Sequence, residues 1–419
     1  MGMTIAEKII AVHTDKKEVK AGELVDARVD FAMGEDATTP LALEAFRSFG
    51  LKKVFDPERI TFVADHSVPY PNVNVAKQAK FIREFSREFG IHFWEPGEVG
   101  VEHVLLPEQG LVLPGDIVVG ADSHTTTYGA LGAFSVGIGS TDLAGVMATG
   151  RIWLKVPDTM KIIYSGTLNR WVGGKDLILF TIGSIGTDGA NYKAIEFCGK
   201  VIKGLSIDDR FSMSNMAAEA GAKAALIAPD AITEEYVKTR AKRDYAFHTS
   251  DDDATFESVL DFDVSNLDCQ VACPFSPANV IGIRELPKIR IDQAYIGSCT
   301  NGRISDFRIA ASILKGKTVA PWVRLIVIPS TPALYRELMT EGLLDVFMDA
   351  GAVIGHPTCG PCYGGHMGVL AKGERAVATS NRNFQGRMGH VESEVYLANP
   401  AVAAASAITG MISHPEDVV

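Results

Sequence analysis

The residues most able to do chemistry in this chain are a set of cysteines, acid–histidine pairs and arginines. Cys359 and Cys362 bracket a Gly-Pro pair in HPTCGPCYGG, and Cys299 stands sixty residues upstream in GSCTNGR. Asp65-His66 occurs in ADHSVP, Asp122-Ser123-His124 in GADSH and Asn381-Arg382 in SNRNFQGR. A C-x-x-C pair serves a disulfide oxidoreductase or supplies two ligands to a metal or cluster. A thioredoxin-like site needs its C-x-x-C early in a small domain, opening a helix. Here Tyr363-Gly364-Gly365 follows, a poor helix start, and the motif lies late in a 419-residue chain. Three cysteines fit a structural zinc if a fourth ligand exists, with Cys273 or His356 as candidates. They also fit an iron–sulfur cluster that lacks one thiolate. Cys198, Cys269 and Cys273 read as buried small apolar residues.

These groups need elements to position them. Compact apolar runs at 60–66, 116–124, 294–300, 323–331, 352–359 and 376–381 read as strands buried on both faces. Between them, Val75, Ala79, Ile82, Phe85 and Phe89 recur at helical spacing before Gly90. Phe307, Ala310, Ala311 and Leu314 do the same before Gly316, with Ser305 as the expected cap. The alternation predicts an α/β chain with mostly parallel sheets. Five strand ends carry Asp65-His66, Asp122-His124, Cys299, Cys359 and Asn381-Arg382, and in open α/β sheets ligands bind beyond those ends. A single polar strand end is ordinary, and a lone Asp-His or arginine is usually structural. Five such ends in one chain favour a site. Breaks are expected at Val156-Pro157-Asp158, after a small-residue helix at 141–154, and at a proline-bearing linker, CPFSPANV, at 273–280. They divide the chain into three α/β domains, 1–156, 157–276 and 277–419.

Composition narrows the classes. The net charge is −11 with a pI near 5.4, and no basic block occurs, which disfavours nucleic acid and anionic membranes. No apolar run is long enough to span a bilayer, and the first ten residues carry charge where a signal peptide would be apolar. Six cysteines in this length make no disulfide framework, so a reducing cytoplasmic setting is expected. The glycine-rich GALGAFSVGIGSTD lacks the companions of a nucleotide loop and reads as close packing between helices.

GSCTNGR, HPTCGPC, SNRNFQGR, GADSHTTTYGALGAFSVGIGSTDLA and ADHSVP, in one chain, resemble the aconitase superfamily. The likeness covers nearly the whole chain. It is greatest to the large subunits of the two-subunit isopropylmalate and homoaconitate hydro-lyases. The resemblance implies three domains packed around a central 4Fe-4S cluster held by Cys299, Cys359 and Cys362, with one iron lacking a protein ligand. It implies a hydro-lyase that moves a hydroxyl between adjacent carbons of a small carboxylate. Isopropylmalate is the first expectation, with a homoaconitase or dimethylmalate-type enzyme as alternatives. A disulfide oxidoreductase and a zinc-stapled interaction protein remain as alternatives of other classes. Carried onto this sequence, the family's pattern makes His66, paired with Asp65, the acid for the departing oxygen. Asp122 and His124 become a second pair, and His103 a third imidazole. Glu196 becomes an acid near the iron-bound oxygens, Arg382 and Arg387 the carboxylate-binding arginines, and Asn381 a cluster-side donor. Glu35 replaces a glutamine of the aconitase pattern, which disfavours citrate. The serine base and the substrate-selecting loop are expected on a separate small subunit.

Overall fold

The computed structural model describes residues 2–419. Three mainly parallel sheets carry the chain. The first has five strands in the order His92–Trp94, Ile60–Val63, Phe31–Glu35, Ile117–Gly120 and Phe134–Gly137, all parallel. Its central strands are buried along their whole length, as the unbroken apolar runs require. The second is a parallel four-stranded sheet ordered Ala224–Ile227, Ala194–Cys198, Thr159–Ser165 and Ser258–Asp263. The third has seven strands. Five are parallel: Glu394–Leu397, Arg375–Ala378, Gln293–Ile296, Arg324–Val327 and Val353–Ile354. Gln270–Ala272 and Val280–Gly282 are added antiparallel at one edge. Among the described residues, no helix is long and apolar enough to cross a membrane.

The helix Val73–Phe89 follows the expected stripe. Ala79, Ile82 and Phe85 are buried, Asn72 caps the start, and Gly90 closes the end at φ 75°. Three local expectations are corrected. The helix Ile304–Leu314 begins one residue before Ser305, and the Asp306 carboxylate accepts from the Arg303 N–H at 3.0 Å. Ser305 instead donates to Asp208 at 2.7 Å. The small-residue helix stops at Thr149, because Gly150 takes φ 66°. Arg151–Lys155 then pairs antiparallel with Leu24–Arg28. CPFSPANV does not link two bodies. It joins the antiparallel strands Gln270–Ala272 and Val280–Gly282, so the third sheet begins before it.

The glycine-rich segment does mark a close approach, but between a 3₁₀ turn and a strand. Ser123–Leu131 packs against Ala224–Ile227 so tightly that a Cβ on Gly129 would lie 1.8 Å from the Ala225 carbonyl oxygen. This contact fixes the turn carrying Asp122 and His124 onto the second sheet. Gly129→Ala is expected to cost about 1–3 kcal/mol, because backbone has to move to admit one methyl. A thermal melt of the purified variant checks it, and an unchanged midpoint would show that the two sheets do not meet there.

Candidate active site

The carboxyl ends of the strands converge on a cavity of about 150 Å³. Its wall includes Asp65, His66, Glu102, His103, Asp122, His124, Cys299, Cys359, Cys362, Asn381, Arg382 and Arg387. Eleven of these were expected from sequence. The first sheet brings Asp65-His66 at the end of Ile60–Val63 and Asp122 after Ile117–Gly120, and the third brings Cys299, Asn381 and Arg382. Cys359 and Cys362 lie on a short turn, Gly360–Tyr363. The turn is held to the first sheet, because the Asp65 carbonyl accepts from the Cys359 N–H at 2.9 Å and the Thr358 hydroxyl at 2.6 Å. Cys273 and His356, the candidate fourth zinc ligands, are not part of this wall. His356 Nε2 lies 2.9 Å from the Val68 carbonyl.

Glu196 is corrected. It lies on the strand Ala194–Cys198, where its carboxylate accepts from the Ser250 hydroxyl at 2.5 Å, away from the cavity. The acid that joins the site is Glu219, at the turn that follows the helix Ile207–Met216. Its Oε1 accepts from Arg382 Nε at 2.8 Å and lies 3.0 Å from His124 Nε2. Asn215, four residues earlier, accepts from Asn381 at 3.2 Å. Glu102 was also missed, although it adjoins His103. It is fully buried and neither carboxyl oxygen has a hydrogen-bond partner. Glu35 turns its carboxylate onto the Ala37 and Thr38 N–H groups, at 2.5 and 2.8 Å, and lies 3.4 Å from His66 Nδ1.

The charges sort by surroundings. Burial pushes the His66 imidazole down, but Asp65 at 2.7 Å, with Glu35 and Asp36 close by, outweighs it. His66 is held well above its ordinary value, as an imidazolium. For His103 burial wins over Asp122 at 2.9 Å, and its pKa falls. His124 is raised: burial and Arg382 lower it, and hydrogen bonds to Asp122 and Glu219 overcome both. Burial lifts Glu35 to about 7 and Glu102 well above the carboxylate range, with Asp65 and Asp122 adding to the second shift. Asp122 is driven low despite burial, because His103 and His124 both bond it.

The cysteine end carries hydrogen-bond donors aimed at sulfur. The Cys359–Cys362 hydrogen bond raises the first thiol and lowers the second, and burial pushes Cys299 up to about 11. Asn381 Nδ2 donates to Cys299 Sγ at 3.2 Å, and the Ser298 hydroxyl to Cys362 Sγ at 3.6 Å. Arg387 Nε is buried without a partner, and Cys362 and Cys359 hold its charge. Arg382 commits Nε to Glu219 and one Nη to Ser123 Oγ at 2.9 Å.

The first and third sheets deliver acid–histidine pairs, two arginines and three cysteines to one cavity, an arrangement able to do acid–base chemistry beside a group of sulfur ligands. The chain belongs to the aconitase family: a model of that family (aconitate hydratase) matches residues 7–289 and 284–410. It is similar to the 3-isopropylmalate dehydratase large subunit 1 of Pyrococcus furiosus, 61% identical over all of this chain and 99% of that one. It is also similar to the 3-isopropylmalate dehydratase large subunit of Halothermothrix orenii, 59% identical over the full length of both. The aconitase X of Thermococcus kodakaraensis shares the fold, with a TM-score of 0.51 and 13% identity over 90% of this chain and 89% of that one.

The family implies a 4Fe-4S cluster, and the residues present fit one. Three buried cysteines share a cavity, N–H and O–H donors are aimed at sulfur, and the Arg387 Nε has no other buried partner.

The His66 charge has a consequence for stability. Its folded pKa lies above the ordinary 6.5, so its contribution is complete below that pH and is lost as pH rises through the raised value. His66→Asn leaves Asp65, Glu35 and Asp36 without their cation. It is expected to cost about 3–5 kcal/mol near pH 6. Denaturant midpoints measured from pH 6 to 9 should show the gap to the native chain closing as pH rises. A gap that widens over that range would mean His66 is neutral in the fold.

Proposed function

We propose that this chain is the large subunit of a 3-isopropylmalate dehydratase, which interconverts 2- and 3-isopropylmalate by dehydration and rehydration in leucine biosynthesis. The observation that carries the reading is the full-length identity, 57–61%, to relatives that bear that name. The proposed setting is the cytoplasm, where six free cysteines stay reduced.

In this reading Cys299, Cys359 and Cys362 hold the cluster. When bound, it supplies Lewis acidity at an iron that has no protein ligand. The chain's own groups do the rest. His66, kept protonated by Asp65, gives its proton to the departing hydroxyl oxygen, because hydroxide alone leaves poorly. Arg382 offers the donors not engaged by Glu219 and Ser123 to a substrate carboxylate. Glu219 fixes the plane of that guanidinium and keeps His124 oriented. His103, neutral, donates Nε2–H to Asp122. Arg387 and Asn381 stabilise the sulfur side. Proton abstraction next to a carboxylate needs a base. We assign that base, and the loop that selects the substrate, to a small-subunit partner, consistent with the large-subunit names of the relatives.

The test is reconstitution. The chain, loaded anaerobically with iron and sulfide, is expected to hydrate isopropylmaleate only after a small subunit of the same type is added. A positioned base is commonly worth about 10²–10⁴ in rate. Undiminished turnover without a partner would overturn the split site. Turnover of homoaconitate but not isopropylmaleate with matched partners would overturn the substrate.

The two acids separate by mutation. Glu219→Gln removes the anion between His124 and Arg382 and is expected to cost about 2–5 kcal/mol in kcat/KM, with iron content unchanged. Glu196→Gln should stay close to the native rate. Steady-state kinetics of both variants decides between them, and the reverse ranking would restore Glu196 to the site.

A further inference from the structure

Arg303, the last residue of GSCTNGR, is 4% exposed and does not line the cavity. Its Nη1 donates to the carbonyls of Cys299 and Thr300, at 2.8 and 3.3 Å. Its Nη2 donates to the carbonyl of His103 at 3.2 Å, across 200 residues of sequence. The guanidinium lies over the Phe211 ring, 4.5 Å from its centroid, on the helix that leads to Glu219.

The His103 carbonyl is free for a local reason. In the helix Glu102–Glu108 it faces position 107, and residue 107 is proline. Proline has no N–H, so the usual i to i+4 bond cannot form. A buried carbonyl without a donor is costly, and this one takes its donor from another domain. The same guanidinium then fixes, through one rigid plane, the backbone of a cysteine and the backbone of an imidazole.

We propose that Arg303 is a positioning residue that locks the Cys299 loop and the His103 imidazole into one frame through the carbonyl that Pro107 leaves unpaired. The clamp itself is independent of which substrate the site takes; its kinetic effect rests on the function proposed above. A planar fork can serve three carbonyls at once, whereas a lysine ammonium at the end of a flexible stem cannot hold them in one plane. Misplacement of a reacting group by about 1 Å is enough to cost about a hundredfold in rate.

The experiment uses Arg303→Lys, Arg303→Met and Pro107→Ala, singly and combined. In the chain without iron, NMR of ¹⁵N-labelled histidine reads the His103 ring, and iodoacetamide alkylation reads access to Cys299. Both Arg303 variants are expected to shift the His103 signals and to speed Cys299 alkylation several-fold. Pro107→Ala restores an N–H to the helix and gives the His103 carbonyl a local donor. The Arg303→Met shift of His103 should therefore shrink in the Pro107→Ala background, a non-additivity that mere loss of core packing would not produce. In the loaded enzyme with its partner, kcat should fall about ten- to a hundred-fold while KM changes little. Additive effects on the His103 signals, or His103 signals untouched by either Arg303 variant, would overturn the clamp. Coupled NMR shifts with unaltered kcat would uphold the clamp and remove His103 from the chemistry.

Discussion

One backbone carbonyl orients most of the site. The Asp65 oxygen accepts from both Thr358 and Cys359, which fastens the C-x-x-C turn to the end of a strand in another sheet. The side chain of the same residue completes the arrangement. Oδ1 bonds the His66 ring at 2.7 Å, and Oδ2 accepts from the Glu102 N–H at 2.8 Å, at the start of the helix that bears His103. The C-x-x-C turn, the His66 ring and the helix bearing His103 are therefore referenced to one buried residue, 1% exposed. Tyr363 adds a further tie, its hydroxyl 2.6 Å from Ser67 Oγ. Rigidity of this kind is what a proton-transfer site requires, because distance errors of a fraction of an ångström are costly.

The ionisable groups are arranged so that neighbours take different charge states. His66 faces three carboxyls and stays positive. His103 faces Asp122 from a fully desolvated position and stays neutral. The difference is decided by the count of nearby anions against a similar burial penalty. Glu102 shows the same balance from the other side. With Asp65 and Asp122 beside it and no cation bonded to it, its carboxyl keeps its proton. A buried, unpaired carboxylate would cost several kcal/mol, so protonation is the cheaper state.

Much of this was legible in the sequence. Compact apolar runs that end in Asp-His, Cys or Asn-Arg give both the parallel sheets and the edge at which they meet, because parallel strands put their chemistry at one end. Asp65-His66, Asp122-His124, Cys299, Cys359 and Arg382 stand at such ends, and the family resemblance added Cys362 and the roles. Glu196 was carried over from the family's pattern rather than from a strand end, and its place mid-strand aims it at Ser250 rather than past the sheet edge. Asn215 and Glu219 were invisible to a search of strand ends, since they come from a helix and the turn after it. Their signal was present in another form: Asn215 and Glu219 stand at i and i+4 within SMSNMAAEAG, where the other residues are serine, methionine, alanine and glycine. Ser305 failed as a cap because Asp306, at the third helical position, already bonds the Arg303 N–H. The partners of Arg303 could not be read at all, because they depend on how two distant loops fold together.

The ties across the site are long in sequence. Thr358 reaches back 293 residues to Asp65, Arg382 reaches back 259 to Ser123, and the buried Lys175 Nζ waits 204 residues for the Thr379 carbonyl. Such contacts repay the entropy of closing a very large loop only when the rest of the chain is in place. The residues of the first sheet come before the C-x-x-C turn in the chain, and that turn follows Cys299 by sixty residues. A half-folded chain therefore presents Cys299 without Cys359 and Cys362, and the three sulfurs share one cavity only when the first and third sheets are both in place.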